Sequence, residues 1–372
     1  MAARQEWASP AVQFFTGREH AGRCVVAEVV VIGAGMAGTM AAHALRAAGH
    51  TVVVVDKGFA VGGRMAARTV HGARFDVGAQ FLTAKSDTFR RLTAQWTAAG
   101  VLRTWFHGSP DRGEHTEPDG HPRLHGMPTM RSIVEHLVEG LDVRLGWVVQ
   151  AVTPRVDRLA VHLIQRPHGR GERRDRPRVE GASTTTLEAD AVLVTMPVPQ
   201  IRAVLHTSGV CLPSAAEARL AAATYDPCLT LLAVPDGPTT LPPRGALRVP
   251  DGDIAWVTDN QVSGASALPA LTIHAGAELS RARYTAQASV IADELLTLAA
   301  PLIGTSARPV HLHRWRYATP TAVLGPEPMV DRLGRAPFAV AGDAFSGGRV
   351  EGAAISGLKT AEALADVLAV TG

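Results

Sequence analysis

The chain has 372 residues, of which 46% are hydrophobic and 19% are charged, and its formal net charge is +3. These proportions are typical of a soluble globular protein whose length allows one large domain or two. Only three of the 37 basic residues are lysine, which indicates codon bias rather than a patch that binds nucleic acid. Cys24, Cys211 and Cys228 are too few and too scattered for a disulfide framework or a zinc site, which favours a reducing cytoplasm.

Several further classes of protein find no support in the sequence. The motifs HExxH, CxxC and G-x-S-x-G are absent, so metallohydrolases and serine hydrolases are disfavoured and no metal is expected. No apolar run reaches the ~18 residues of a membrane span. Residues 1–28 contain charged side chains and no apolar core of a signal peptide, and we interpret them as an N-terminal extension.

Residues 29–57 contain the most specific pattern, a complete βαβ unit. An apolar β-branched strand leads into GAGMAG, which fits G-x-G-x-x-G, and an alanine-rich helix and a second strand follow. Gly33 allows the tight turn, Gly35 lets the backbone approach a pyrophosphate, and Gly38 lets the helix pack closely on the strand. Asp56 ends the second strand, where it can accept the hydroxyls of a ribose. The pattern predicts a site for an ADP moiety.

The segments that follow distinguish FAD from NAD. An NAD-only dehydrogenase would continue with another helix and strand, whereas this chain continues with GGRM at 62–65 and FDVGAQF at 75–81. A Gly-Gly-Arg turn can bring Arg64 and bare backbone against phosphate and ribityl groups. An ordinary glycine loop with a surface arginine is the alternative.

A third motif lies close to the end of the sequence. An apolar strand at 338–341 is followed by Gly342 and Asp343, then by SGGRVEGAA at 346–354 and a predicted helix from near Gly352 to about residue 368. Asp343 can bind a ribityl chain, and the positive end of the helix can face the N1/C2=O edge of a flavin. Alone, the segment would also suit a plain helix after a buried strand.

Together these motifs resemble those of the FAD-dependent amine oxidase superfamily. The segments at 254–257, 273–282 and 313–318 are most similar to renalase and its bacterial relatives, and the resemblance extends from about residue 29 to 368. It implies non-covalent FAD, because no cysteine lies near Gln80 or Arg349, where covalent members attach the flavin. The implied FAD-binding residues are Gly33, Gly35, Met36, Ala37, Gly38, Asp56, Lys57, Gly63, Arg64, Met65, Gly78, Ala79, Gln80, Val149, Gly342, Asp343, Arg349, Val350, Glu351 and Ala353.

The expected fold is α/β, with a Rossmann-type FAD-binding domain and a discontinuous α+β substrate domain built on an antiparallel sheet. The FAD-binding domain is predicted at 29–83, 127–200 and 335–372, and the substrate domain at 84–126 and 201–334. In the first domain we predict a helix at 130–139, strands at 143–152, 159–165 and 191–195, and a basic solvated loop at 166–181. In the second we predict strands at 229–234, 254–258, 271–274 and 310–315 and a helix at 284–299.

Candidate residues facing the substrate follow from this arrangement. We predict catalytic or orienting roles for Gln80, His274, Trp315 and Arg316, with Phe81 and Trp256 nearby. Either tryptophan could instead be a core aromatic side chain, and His274 could be a hydrogen-bonded histidine of a strand.

The resemblance implies an enzyme that takes a hydride from a small C–H donor onto flavin N5 and passes the electrons to oxygen. In the renalase-like version the donor is an isomeric dihydro form of NAD(P). The alternatives are an oxidase or desaturase of a secondary metabolite and an amine oxidase; a non-catalytic FAD-binding module is disfavoured by the intact site. Residues 201–334 contain no lysine, whereas many amine oxidases of the superfamily hold a lysine and a water against N5. No nucleic-acid or membrane partner is expected.

Overall fold

The computed structural model describes residues 26–109, 120–167 and 183–371. Most of the predicted N-terminal extension, including Cys24, and nearly all of the predicted basic loop lie outside these ranges. No helix of the described residues has the length and apolar character needed to cross a membrane.

Single helices and short groups of helices separate runs of two to five strands along most of the described chain. The strands are β1 (Glu28–Ile32), β2 (Thr51–Asp56), β3 (Ala67–Val70), β4 (Ala73–Asp76), β5 (Leu102–His107), β6 (Pro122–Gly126), β7 (Asp142–Leu145), β8 (Trp147–Pro154), β9 (Leu159–Gln165), β10 (Thr184–Ala189), β11 (Ala191–Val194), β12 (Tyr225–Pro235), β13 (Ala246–Arg248), β14 (Ile254–Asp259), β15 (Leu271–Ala275), β16 (Ala307–Pro320), β17 (Met329–Leu333) and β18 (Ala336–Val340). The helices are α1 (Met36–Ala47), α2 (Asp87–Ala98), α3 (Met130–Leu137), α4 (Val198–Thr207), α5 (Ser214–Ala221), α6 (Ala277–Arg283), α7 (Ala288–Ile303) and α8 (Arg349–Thr371).

A six-stranded sheet of the described residues has the order β17-β18-β11-β1-β2-β7. The strands from β18 to β7 are parallel, and β17 pairs antiparallel with β18 at one edge. Side chains of β1 alternate between two cores, as the period of a strand requires. Val29 and Val31 pack with α1 and α8, whereas Val30 and Ile32 pack with β8, β9 and α4. Burial on both faces explains the uninterrupted apolar runs of these strands.

Helices α1 and α8 cross at small residues. A Cβ atom on Gly357 would lie 2.2 Å from the carbonyl oxygen of Ala37, so only glycine permits this approach. A Cβ on Gly38 would lie 1.8 Å from the carbonyl oxygen of Gly33, which ties α1 equally closely to the turn after β1. The glycine pattern therefore fixes the packing of the first and last helices.

The second large sheet is antiparallel, with the order β13-β14-β15-β12-β16 among the described residues. Helices α6 and α7 cover one face, where Leu231 and Ile273 pack with Leu295. The hairpin of β3 and β4 packs on the other face, where Phe75 meets Leu232. The predicted fold class, a Rossmann-type unit with an antiparallel substrate sheet, is confirmed.

Several predicted boundaries need correction. The substrate domain was predicted to continue to residue 334, but β17 pairs with β18 in the parallel sheet. Helices α2 and α5, predicted in the substrate domain, pack into the cores of that sheet, and so does α4, which the predicted boundary at residue 200 divides. The predicted domain boundaries lie beside the FAD motifs. These three helices cover the sheet although they lie wholly or partly beyond those boundaries, because their apolar side chains pack in its cores.

Three predicted elements also differ. The strand predicted at 143–152 is two strands, because Gly146 has a φ of +79° and turns the chain between them. The helix predicted at 284–299 is α7, and α6 precedes it. The last helix begins at Arg349 rather than near Gly352.

Candidate active site

At the carboxyl edge of the parallel sheet, the connections of the neighbouring strands β1 and β11 lead to opposite faces, through α1 and α4, and it is at such a point that open α/β sheets form a crevice. Ligands of open α/β sheets bind at such a switch point. Gly33 follows β1, Asp56 ends β2, Thr195 follows β11 and Gly342 follows β18. The Thr195 hydroxyl donates to the carbonyl oxygen of Ile32 at 3.0 Å, and a Cβ on Gly33 would lie only 2.4 Å from that hydroxyl oxygen. Sequence reasoning missed Thr195, although it directly follows a buried parallel strand.

Gly35 and Gly63 face each other beside this crevice. A Cβ on Gly63 would meet only the Cα of Gly35, at 3.5 Å, and a Cβ on Gly35 would come no closer to Gly63 than 3.9 Å. The space between them is therefore one that side chains would fill. Gly35 is the N-cap of α1, so the first amides of that helix, those of Met36 and Ala37, cannot have acceptors within the helix. Bare backbone and a helix N-terminus suit a pyrophosphate.

Asp56 is fixed by two backbone amides. Its Oδ2 accepts the amide of Ala34 at 2.8 Å and its Oδ1 accepts the amide of Gly58 at 2.6 Å. Each carboxylate oxygen has a further lone pair for a ribose hydroxyl. The Lys57 ammonium donates instead to the side chain of Gln200 at 3.3 Å, near the surface.

Two further residues predicted to bind FAD, Val149 and Met65, are buried. Val149 is 9% exposed and packs beside Val55 in the core under the sheet. Met65 ends the short 3₁₀ turn Gly63–Met65 and is also buried. Met65 thus belongs to the core on the α1 face of the parallel sheet, and Val149 belongs to the core on the opposite face.

Arg64 and Asp343 form a bidentate ion pair. The two guanidinium nitrogens lie 2.6 and 2.7 Å from the two carboxylate oxygens, and Arg64 also donates to the carbonyl oxygens of Tyr317 and Ala318 at 3.3 Å. The sequence predicts that Arg64 lies against phosphate and ribityl groups and that Asp343 binds a ribityl chain. The structure pairs the two charges with each other and connects Arg64 to β16.

In the C-terminal motif, Gly342 lies at the edge of the parallel sheet, whereas residues 350–353 of α8 pack against or support neighbouring elements. Gly342 has a φ of +151° and its amide donates to Ser356, while Arg349 begins α8 with an exposed side chain. The Glu351 carboxylate accepts the backbone amides of residues 85 and 86, so it supports the start of α2. Val350 is buried and Ala353 is partly buried, and both pack in the core shared with α1.

The segment from Asp76 to Phe81 runs from the hairpin to the Arg64 turn. A Cβ on Gly78 would lie 1.9 Å from the carbonyl oxygen of Arg64, and the amide of Ala79 donates to that oxygen at 2.9 Å. The Gln80 side chain is 5% exposed and folds back on this segment. The predicted residues Gly78, Ala79 and Gln80 therefore lie together beside the Arg64–Asp343 pair.

His274 and Trp315 reach the same backbone atom from the antiparallel sheet. Nε2 of His274 donates to the carbonyl oxygen of Val77 at 3.1 Å, and the Trp315 indole donates to it at 3.3 Å. Burial lowers the pKa of His274 to about 4, and the bond to Val77 only partly opposes that effect. The imidazole is therefore neutral at physiological pH and holds the segment in place. Phe81 packs beside Trp256, with ring centroids 5.4 Å apart.

Arg316 does not join these residues. Its guanidinium lies over the Tyr284 ring, 5.7 Å from the centroid, and the side chain is exposed. Neighbouring residues of a strand face opposite sides of the sheet, so Arg316 faces the helical layer while Trp315 faces the hairpin. The predicted orienting role of Arg316 is wrong for this reason.

A buried carboxylate–imidazole pair lies beneath the segment. Asp76 and His125 are each 1% exposed, and Nε2 of His125 lies 2.9 Å from Oδ2 of Asp76. Oδ1 of Asp76 accepts the amide of Met130 at 2.9 Å, so the carboxylate also caps α3. Sequence reasoning missed the pair because its members lie 49 positions apart on two short strands.

The crevice fits a flavin dinucleotide. Gly35 and Gly63 leave room for a pyrophosphate, and Asp56 offers fixed acceptors to a ribose. Two shielded polar atoms, Oε1 of Gln80 and Oγ of Ser346, have no hydrogen-bond partner among the described residues, and both belong to predicted FAD segments. Buried polar atoms normally have partners, and a ligand would supply them at these two positions; four further buried atoms of the described residues, Nδ1 of His125 among them, also lack one.

Comparisons with known proteins agree with this geometry. Residues 31–96 match the family model of NAD(P)-binding Rossmann-like domains, and residues 119–365 match that of flavin containing amine oxidoreductases. A putrescine oxidase of Kocuria rosea is 30% identical over 155 residues, which are 39% of this chain and 32% of that protein. The matched stretch thus spans about a third of that relative's length.

Solved structures show the same fold at low identity. Cyclohexylamine oxidase from Brevibacterium oxydans IH-35A has a TM-score of 0.64 at 15% identity, over 92% of this chain and 100% of that one. Wild-type putrescine oxidase bound to putrescine has a TM-score of 0.61 at 16% identity, over 93% and 99%. The predicted superfamily, FAD cofactor and oxidoreductase class are confirmed, because the second family model covers more than half of the sequence. The chain belongs to the family of flavin containing amine oxidoreductases.

Proposed function

We propose that this chain is an FAD-dependent oxidoreductase that oxidises a small, already activated cyclic C–H donor of the dihydropyridine type, such as an isomeric dihydro-NAD(P), with oxygen as acceptor. The observation that carries the proposal is that the antiparallel sheet places uncharged, mostly aromatic side chains on the Val77–Phe81 segment, while the Arg123 guanidinium of β6 lies over the Phe81 ring, 5.7 Å from its centroid. His274, Trp315 and Trp256 come from the antiparallel sheet, and His274 is uncharged because burial lowers its pKa to about 4.

Lysine is missing from this environment. The sequence contains Lys57, Lys85 and Lys359 and no other lysine, and all three side chains are exposed. Lys57 donates to Gln200, Lys85 precedes α2, and Lys359 lies on α8. An amine oxidation that depends on a lysine–water pair therefore lacks its lysine, whereas a donor rich in hydride character needs chiefly stacking and orientation.

The nearby carboxylates are also engaged. A diamine needs an acidic partner for the ammonium that does not react, since a buried charge must be paired. Among the described residues of the segment and the adjoining turn, Asp76 is paired with His125 and Asp343 is paired with Arg64. This supports an uncharged reacting ring rather than a second ammonium group.

A bound flavin would supply the redox chemistry, in which the donor would lose a hydride and leave as an aromatic pyridinium, and the hydride's two electrons and proton, with one proton from solvent, would reduce oxygen to hydrogen peroxide. The chain's residues would bind and orient. Trp256 and Phe81 offer aromatic faces to a planar ring and help to exclude water. His274 and Trp315 hold the Val77 carbonyl, and with it the segment on which Gln80 lies.

An amine oxidase is the second candidate. It is favoured by the family model and by the similarity to a putrescine oxidase over part of the chain. An oxidase or desaturase of a secondary metabolite would bind and orient its donor with the same residues and would differ only in the identity of that donor.

Anaerobic mixing of the flavin-loaded protein with candidate donors tests the proposal. We expect rapid bleaching of the flavin absorbance with 2- or 6-dihydro-NAD(P) isomers or another activated cyclic C–H donor, and negligible bleaching with benzylamine, putrescine or cyclohexylamine. Trp256→Leu should slow the reduction, whereas Arg316→Ala, on the opposite face of the sheet, should match the wild type. Rapid reduction by an amine with no response to any dihydropyridine would establish the second candidate instead.

A further inference from the structure

The carboxamide of Gln80 has only one orientation that its surroundings allow. Its Nε2 donates to the carbonyl oxygens of Asp76 at 2.8 Å and of Gly78 at 2.9 Å. If the amide were rotated by half a turn, Oε1 would face two carbonyl oxygens, which are acceptors like itself. Both N–H donors are therefore used, and the oxygen is the one group of this side chain still able to accept a hydrogen bond.

That oxygen has no partner among the described residues, although Gln80 is only 5% exposed. A buried acceptor without a donor is costly, and native structures rarely contain one without a reason. The position of Gln80, beside the Arg64 turn and before Phe81, makes a ligand N–H the natural partner.

The backbone around Gln80 is held too firmly to turn away. The Asp76 amide donates to the Asn260 side chain at 3.0 Å, and the Thr272 hydroxyl donates to the Asp76 carbonyl at 2.9 Å. His274 and Trp315 both donate to the next carbonyl, that of Val77. The antiparallel sheet thus fixes Asp76, whose carbonyl accepts from Gln80, and Val77, which precedes the second acceptor, Gly78.

We propose that Oε1 of Gln80 accepts a hydrogen bond from the carboxamide N–H of a dihydronicotinamide donor, so that Gln80 selects donors with a carboxamide over donors without one. The proposal rests on the proposed function, since it requires a pyridine-type donor. An N–H of the flavin ring has the same chemistry, and the experiment separates the two sources.

The test uses the flavin-loaded protein and two ligand pairs. The first pair is NAD⁺ and its 3-acetylpyridine analogue, in which a methyl ketone replaces the carboxamide and no N–H remains; their dissociation constants come from the perturbation of the flavin absorbance. The second pair is the corresponding dihydro forms, compared by the rate of anaerobic flavin reduction at limiting donor. The ratio of the two dissociation constants and the ratio of the two reduction rates are measured for three proteins: the wild type, Gln80→Met and Gln165→Met. Gln165 is an exposed glutamine at the end of β9.

We expect the wild type to favour the carboxamide by roughly tenfold, as the loss of one hydrogen bond to a buried acceptor predicts. In Gln80→Met both ratios should fall close to one, because the acceptor that distinguishes the two ligands is gone. Gln165→Met should leave both ratios at the wild-type values. Ratios that are the same in the wild type and in folded Gln80→Met would overturn the proposal. Equal dissociation constants of the wild type for NAD⁺ and its 3-acetylpyridine analogue would also overturn it, and this measurement requires no variant.

Two further outcomes are distinguishable. A loss of flavin content or a shifted flavin spectrum in Gln80→Met, with unchanged ligand ratios, would assign the acceptor to the flavin ring and overturn the assignment to the donor. A wild type that no dihydropyridine reduces would refute the proposed function itself, whereas reduction with an unchanged ratio would refute only the role of Gln80.

Discussion

The carboxylate of Asp56 accepts two backbone amides, so a ribose would meet acceptors whose position is already fixed. We expect Asp56→Ala to lose ~2–4 kcal/mol of FAD affinity, because charge-assisted hydrogen bonds and the anchoring of the Ala34 turn disappear together. The ratio of flavin to protein absorbance after purification measures the effect. Asp142→Ala, an exposed position on β7, is the matched control. Full flavin loading of Asp56→Ala would show that the βαβ unit has another role.

His274 should make the stability of the fold depend on pH. Its pKa is lowered by burial to about 4, whereas the same imidazole in the unfolded chain titrates near 6.5. The unfolded state therefore binds more protons between these values, and stability falls as the pH falls from about 6.5 to about 4. The contribution is at most about 3 kcal/mol.

We expect His274→Gln to lose less stability than the wild type over that interval, as measured by denaturant unfolding at about pH 7 and about pH 4.5. The pKa values of His43 and His50 are also lowered by burial, and both residues remain in the variant as an internal reference. Equal pH dependence of the two proteins would contradict the role of His274.

Residue by residue, the sequence was most informative where one position meets a local constraint. Gly33 and Gly38 were predicted because a turn and a helix contact within a few residues exclude a side chain. The pairing of Arg64 with Asp343 was not predicted, because it joins residues 279 positions apart. Arg316 was placed wrongly although its neighbour Trp315 was placed at the site, and the alternation of a strand would have excluded one of the two.

At the scale of elements, two glycines of the α1 region have different functions. A Cβ on Gly357 of α8 would overlap the Ala37 carbonyl of α1 at 2.2 Å, whereas a Cβ on Gly35 has no contact closer than 3.9 Å and Gly35 has a negative φ. We expect Gly357→Ala to lower the free energy of unfolding by roughly 1–3 kcal/mol through overpacking.

Gly35→Ala should leave the free energy of unfolding of the apoprotein nearly unchanged and should weaken FAD binding by filling the space opposite Gly63. Thermal unfolding of the apoproteins and flavin titration separate the two effects. An apoprotein of Gly35→Ala as unstable as Gly357→Ala would show that the glycine facing Gly63 serves packing rather than ligand space.

The elements themselves were predictable in proportion to their length and burial. The apolar strands β14 and β15 and the helix α3 lie close to their predicted positions. The hairpins β3–β4 and β5–β6 were missed because their strands are short and only partly apolar, so neither periodicity is sustained. Gly146 divides a predicted strand because its φ of +79° turns the chain, and a side chain there would also meet the Phe59 ring at 3.1 Å.

For the molecule as a whole, we expect the flavin to be bound without a covalent link. The described cysteines, Cys211 and Cys228, belong to the loop before α5 and to β12, and no cysteine lies near Gln80 or Arg349 in the sequence. Heat or acid should therefore release intact FAD into the supernatant, where its absorbance and chromatography identify it. Yellow colour that stays with the precipitated protein would contradict this expectation.

The distance between Arg64 and Asp343 along the chain has a consequence for synthesis in the cell. At roughly 5–20 residues per second, a ribosome needs on the order of 15–60 s to pass from one partner to the other. Throughout that interval the apolar side of α1, with Met40 and Leu45, lacks the α8 surface that later covers it. Until translation has passed the last motif, the nascent chain therefore exposes this apolar surface and lacks Asp343, the partner of Arg64.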